Sequence, residues 1–326
     1  MKKLLVVCCW CLIAFILKAH PGIGIVKDSK GNIYYTDLKQ VWKISPDGSK
    51  KKVVSGVHTH ELYIDPEDNL YGEHLWYNGE RIDTWGHYTW CLKNNGDLIK
   101  EIEPTEGFLT NYSFVRDSSG NMYWMERFTT SRIMKKNKDG KITKLLEGKF
   151  GFIGWLFCTK NGILYFTESD KLHRLLPDGK LETVAMNIGS RSTDFTVMGR
   201  NYNSYGIWTD DAENIYVAML DLRKVLRVGP GGKPETIVAS TSSWTICSGI
   251  FDDNGNMWVL ENSMTNEVRA RMISQQELAG GRTADNPIKR AHLLITIFTA
   301  VAILGLFIIT RTMMSKKKIK RLNFAA

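Results

Sequence analysis

Residues 22–37 read GIGIVKDSKGNIYYTD, and residues 41–54 continue VWKISPDGSKKKVV. A short apolar stretch runs up to Asp28, and a Gly31-Asn32 turn follows it. A second apolar stretch, Ile33 to Thr36, ends at Asp37. A third precedes the Ser45-Pro46-Asp47-Gly48 turn, and a fourth ends near Val54. Gly and Asn at the first turn supply the positive φ that tight hairpins demand, and Asp-Gly does the same at the second. Ile, Val, Tyr and Trp alternate with polar residues between the turns, as they do in half-buried strands.

The phrase returns five times: HELYIDPEDNLYGE from His60, YSFVRDSSGNMYWME from Tyr112, IGWLFCTKNGILYFTE from Ile153, YGIWTDDAENIYVAM from Tyr205 and SGIFDDNGNMWVLE from Ser248. Copies of a four-stranded unit at a period of about 40 residues are the signature of a propeller. The expected fold class is all-β, a six-bladed β-propeller over residues 20–273, with a C-terminal transmembrane helix. The sixth copy is short. Only Val268-Arg269-Ala270-Arg271 resembles its third strand, so the ring must close with three strands or borrow one.

Two apolar segments stand outside the repeat. Residues 4–17 follow Lys2 and Lys3 and are too short to span roughly 30 Å of hydrocarbon, so residues 1–19 are expected to be a secretory signal. Residues 291–310 carry no acidic or basic side chain after His292 and are long enough to cross as a helix. Arg311, Lys316, Lys317, Lys318, Lys320 and Arg321 follow them, which places a basic tail, 311–326, in the cytoplasm and the propeller on the extracytoplasmic side. Residues 274–290 are expected to be a juxtamembrane linker.

The leader lysines Lys2, Lys3 and Lys18, with the six basic tail residues, account for the net charge of +9. The propeller itself is formally neutral, so its charge gives no argument for nucleic acid. Of six cysteines, Cys91, Cys158 and Cys247 fall in the propeller, an odd number without metal-type spacing. They are expected to be small buried hydrophobes.

Up-and-down connectivity puts the residues before each first strand and those ending each second strand on one face of the ring. Four of the seven histidines fall there, with a run of carboxylates. His20, His58, His60, Glu73 and His74 are candidate ligands of a divalent cation such as zinc, manganese or calcium, since imidazole with carboxylate suits such ions. The alternative is a polar, hydrated plug of the channel. Asn111, Glu126, Glu168, Asn203, Trp244 and Glu261 are candidate ligand contacts; carboxylates at these positions can equally cap turns. The insertion 74–88, HLWYNGERIDTWGHY, and the long connection 189–203 are expected over the channel mouth. Trp76, Trp85, Tyr88 and Trp90 either form a stacking surface there or pack the insertion.

The pattern GI-x-x-D-x-x-GN-I/L/M-Y followed by PDG resembles NHL repeats and the related regucalcin–gluconolactonase-like propellers, over residues 20–272. Such folds host hydrolases, lyases and pure binding modules. In the regucalcin-like lactonases a Glu, an Asn and an Asp hold a divalent ion at the channel mouth. Here His20 stands at the first-blade position, Asn111 or Asn203 could stand for the amide, and no matching acid precedes the first strand of blades five or six. In the lyase-type NHL propellers three histidines from separate blades hold zinc. Here His20 and His58 or His60 supply two. Neither set is complete. The expected function is therefore a membrane-anchored module that binds a small molecule or protein at the channel mouth. The alternative is a metal-dependent, lactonase-like hydrolase or a lyase at the same place.

Overall fold

The computed structural model describes residues 22–78, 84–127, 130–150, 153–189, 204–220, 222–240, 243–263, 265 and 267–279. The expected signal, the membrane-spanning segment, the cytoplasmic tail, His20 and Asn203 lie outside the described residues. Among those described, no helix is long and apolar enough to cross a membrane.

Each copy of the repeated phrase folds around its aspartate. Asp28 Oδ1 accepts the amides of Lys30 and Asn32, while Oδ2 accepts Asn32 Nδ2 and the Tyr34 hydroxyl. Asp65, Asp117 and Asp210 repeat all four bonds. At Asp252 the indole of Trp258 replaces the tyrosine hydroxyl. In the fourth copy Thr159 Oγ1 accepts the Ile163 amide instead. One acceptor pair thus fixes the turn and pins the following strand to it, which is why aspartate recurs with Asn four residues on and an aromatic six on.

These hairpins build six antiparallel sheets. The first blade is β1 (Ile25–Lys27), β2 (Ile33–Thr36), β3 (Gln40–Ile44) and β4 (Lys50–Ser55). The second is β5 (Leu62–Ile64), β6 (Leu70–Tyr77), β7 (Trp85–Leu92) and β8 (Leu98–Glu106). The third holds β9 (Met122–Arg127), β10 (Ser131–Lys136) and β11 (Ile142–Gly148). The fourth is β12 (Ile153–Cys158), β13 (Leu164–Glu168), β14 (Lys171–Leu175) and β15 (Leu181–Ala185). The fifth is β16 (Ser204–Thr209), β17 (Ile215–Met219), β18 (Lys224–Val228) and β19 (Pro234–Ala239), and the sixth is β20 (Trp244–Phe251), β21 (Met257–Ser263) and β22 (Val268–Ile273).

The sixth blade has three strands, as its short copy implies. The third blade departs from the four-stranded expectation, because its innermost strand is reduced to a single bridge, Arg116 with Met122. Ser113 is the cause. Its hydroxyl takes the Val115 amide and its carbonyl takes Arg116 Nε, so backbone groups that would extend the ladder are satisfied locally.

The core lies between blades. Six hydrophobic clusters each join two neighbouring blades. One of them, with Ile25, Ile33 and Leu260, closes the ring between the sixth blade and the first. Val26, Tyr63, Val115, Phe157, Gly206 and Ser248, one from each blade, line a central channel of about 250 Å³.

The described part of the insertion 74–88 is a hairpin extension rather than a loop. Residues 74–77 pair with 85–88, so the β6–β7 hairpin simply grows longer. Residues 79–83 of its tip are outside the described residues. The cross-strand partner of Trp76 is Gly86, whose missing side chain makes room for the indole. His74, Trp76 and Tyr88 stack on this hairpin, and Tyr77 meets Trp85. These aromatics pack the hairpin. The expected linker also contains structure: Ser274 and Glu277 exchange hydrogen bonds as a capping box for the short helix α1 (Gln275–Ala279).

Candidate functional site

The blade-two segment just before β5 and the β6 strand place the candidate site. Glu61 immediately precedes β5, Glu73 follows Gly72 in β6, and both line one corner of the same cavity. Glu73 is buried. Its Oε1 accepts the His60 amide at 2.6 Å and the Glu61 amide at 3.3 Å, and its carbonyl accepts Thr59 Oγ1 at 2.6 Å and Trp90 Nε1 at 3.0 Å. Its Oε2 has no hydrogen-bond partner among the described residues. Burial, and then the Glu73 carboxylate beside it, push half-buried Glu61 up to about 8.

Of the residues predicted to gather, His58, His60, Glu73 and His74 lie together; His20 is outside the described residues. His58 and His60 meet edge to face at 4.5 Å, and His60 Nδ1 stands 3.5 Å from Glu73 Oε1. Their donor capacity is largely committed, however. His74 Nδ1 accepts the His58 amide at 2.9 Å, and His58 Nδ1 lies 3.0 Å from the Leu38 carbonyl. Burial, and then the neighbouring His58, lower His74. Among the described residues no group of three His, Cys, Asp or Glu is placed to hold a metal. Among the described residues, the donors do not complete the divalent-ion site that the resemblance implies.

Of the other predicted contacts, Asn111, Glu126, Glu168, Trp244 and Glu261 are spread over the third, fourth and sixth blades. Glu261, fully buried, binds Ser240 Oγ, Arg269 and Arg271. Burial alone would raise it, but the Arg271 and Ser240 hydrogen bonds hold it below the usual carboxylate range. Trp244 lies under the Arg269 guanidinium at 3.9 Å. Glu168 pairs with His173 Nε2 at 3.0 Å, and Glu126 lies 3.5 Å from Trp124 Nε1. Asn111 is exposed, and its carbonyl faces Lys136 Nζ at 3.4 Å. Asp37 caps its turn and holds Trp42 Nε1.

A cavity of about 610 Å³ opens at the mouth where the third blade lacks its inner strand. Blade two contributes His60, Glu61, Glu73 and Leu75. The opposite wall is aromatic, with Tyr112, Phe114, Tyr123, Trp124, Trp155 and Tyr205. Phe108, on the rim, stacks against Trp85 at 5.3 Å, so the long hairpin buttresses the cavity without lining it with Trp76, Trp85, Tyr88 or Trp90. Glu61 escaped the sequence reading, which weighed histidines and asparagines before the first strands. Its signal is positional. Four residues ahead of the turn residue, the other blades carry Gly24, Ser113, Trp155, Gly206 and Ser248, so Glu61 is the one charged member of that ring.

No family model and no curated protein matches this sequence. Among solved structures, a luciferin-regenerating enzyme is similar over 81% of this chain and 94% of its own, at 12% identity and a TM-score of 0.53. An auxiliary nutrient binding protein from Bacteroides thetaiotaomicron is similar over 77% of this chain and 68% of its own, at 11% identity and a TM-score of 0.53. A gluconolactonase from Xanthomonas campestris is similar over 78% of this chain and 87% of its own, at 10% identity and a TM-score of 0.51. At such identities the likeness is one of architecture. In fold, the chain is a six-bladed β-propeller, similar in architecture to these structures.

Proposed function

We propose that this chain is a membrane-tethered, extracytoplasmic propeller that binds a small organic molecule at its channel mouth. The observation that carries the reading is the cavity of about 610 Å³, whose walls are mainly apolar and aromatic and whose few polar groups converge from blade two. Small-molecule sites have this size and this make-up. The tether rests on the apolar segment 291–310 with its basic flank, and the orientation on the leader-like start.

The test uses the full chain in nanodiscs. Small molecules that raise the melting temperature of the wild type are expected to lose that effect in Leu75→Trp, which fills the cavity. Equal shifts in both proteins place binding elsewhere and overturn the reading. Protease added to sealed, right-side-out vesicles is expected to spare the tail 311–326; its digestion there reverses the orientation.

One observation favours a second reading, a hydrolase or lyase. Two opposed carboxyls, one held protonated by its surroundings, can serve as acid and base. Lactone hydrolysis by the full chain that disappears in Glu61→Gln supports it, and an unchanged rate in that variant overturns it.

A further inference from the structure

The polar corner of the cavity is unusual in sign. The titratable groups lining it are His60, Glu61, Glu73, Tyr112, Tyr123 and Tyr205; no lysine or arginine lines it among the described residues. Tyr123 gives its hydroxyl hydrogen to Asp117, and Tyr112 gives its own to Glu101. His60 approaches Glu73 on Oε1, the oxygen already engaged by two backbone amides. His58 and His74 lie behind, with ring nitrogens on Leu38 O and the His58 amide. Glu73 is only 4% exposed, yet its Oε2 is left without a hydrogen-bond partner. A buried carboxylate oxygen without a donor is costly, and two carboxyls in one buried corner cannot both ionise without a cation beside them. Elsewhere the same protein meets such a need with arginine, as at Glu261. At Glu61 and Glu73 the described structure supplies none.

We infer that the ligand is an organic cation, a primary amine on an aromatic or aliphatic body, whose ammonium group docks between Glu61 and Glu73. The inference rests on the small-molecule reading above and deepens it. An ammonium supplies three donors, enough to satisfy Glu73 Oε2 and to bridge to Glu61. The aromatic wall of Trp124, Trp155, Tyr112 and Tyr205 then covers the ligand body and faces its charge with π-electrons. Burial and Glu73 keep a proton on Glu61 in the empty site. The amine, with a pKa of about 10, arrives protonated. As it docks, the Glu61 carboxyl gives its proton to solvent, so binding releases one proton and no bond to carbon is made or broken.

Three probes of matched size separate the outcomes: 2-phenylethylamine, 2-phenylethanol and 3-phenylpropanoate. Titration calorimetry on the full chain in nanodiscs at pH 7 is expected to show the amine binding at least about tenfold more tightly than the alcohol, with the carboxylate weakest. Repeating it in buffers of different ionisation enthalpy is expected to reveal the released proton. Glu73→Gln, which keeps an acceptor for the two amides, and Glu61→Gln should erase the preference for the amine while the alcohol still binds. Melting curves confirm that both variants fold. Amine and alcohol binding alike, or the carboxylate binding best, overturns the cation while leaving the cavity reading intact. No binding by any of the three, in wild type and variants alike, overturns both.

Discussion

The indole of Trp90 lies against the α-carbon of Gly72, its cross-strand partner in the second blade, so closely that a β-carbon on residue 72 would overlap the ring. Trp90 is itself almost wholly buried and donates to the Glu73 carbonyl, so it cannot retreat. Gly72→Ala is therefore expected to cost about 1–3 kcal/mol, read as a lower denaturation midpoint at unchanged slope. It should also shift Glu73, so ligand affinity falls with stability.

Removing a turn aspartate tests the repeat. Asp117→Ala strips acceptors from the Ser119 and Asn121 amides, the Asn121 side chain and the Tyr123 hydroxyl, and is expected to cost about 2–4 kcal/mol in urea denaturation. Burial alone would raise Asp117, but these hydrogen bonds hold it below 3.8. Its stabilisation is present above that value and lost as pH falls through the lower folded value. The variant should accordingly lose less stability than wild type on acidification.

Glu61 has the opposite sign. Its folded value, about 8, lies above the ordinary 4.5, so the folded chain holds a proton that the unfolded chain releases. The associated stability is full below about 4.5 and drains away as pH rises to about 8. Glu61→Gln is expected to flatten the melting temperature across that window and to exceed wild type at its upper end. A parallel decline in both proteins contradicts the assignment.

Cys91, Cys158 and Cys247 are free and buried. Burial pushes Cys158 up to about 12 and raises Cys247 further. Alkylation of the folded chain, mapped by peptide mass, should leave all three unlabelled, and unfolding without reductant should expose all three.

Zinc, manganese or calcium should leave the melting temperature unchanged, because His74 Nδ1, His58 Nδ1 and Glu73 Oε1 are engaged by backbone groups and no three donors among the described residues are placed for one ion. Stoichiometric metal in wild type that is lost in a His58→Ala, His60→Ala double variant would reverse this.

The fold was readable because its turns are chemically stereotyped. Asp28 and its counterparts bond to residues two, four and six positions ahead, so the spacing itself carries the geometry. The histidine cluster was readable because alternation puts His58 and His60 on one side, and strand return brings Glu73 to them. What remained hidden depended on contacts that no local pattern encodes. Glu61 is twelve residues from Glu73, whose carboxylate reaches the Glu61 amide only once β5 and β6 are paired. The aromatic wall comes from neighbouring blades, and the opening exists because the Ser113 hydroxyl diverts one backbone amide. Glu261 shows the reverse: nine residues after its turn aspartate, where the second blade has His74, it is paired with Arg269 and Arg271 on the next strand.

Each blade is made from one uninterrupted stretch of chain, and the sixth blade meets the first through the packing of Leu260 against Ile25 and Ile33 and through the Lys27–Asp253 ion pair. Strand pairing is therefore short-range throughout, and the single large loop to be closed is the ring itself. Hairpins of this kind form far faster than distant contacts. Blades can assemble in the order of synthesis, each using its predecessor as a wall, with the seam between the sixth and the first as the last barrier. Substitutions at Leu260 should then mainly speed unfolding, whereas those at Tyr34 or Asp28, in the first blade made, should slow the folding rate.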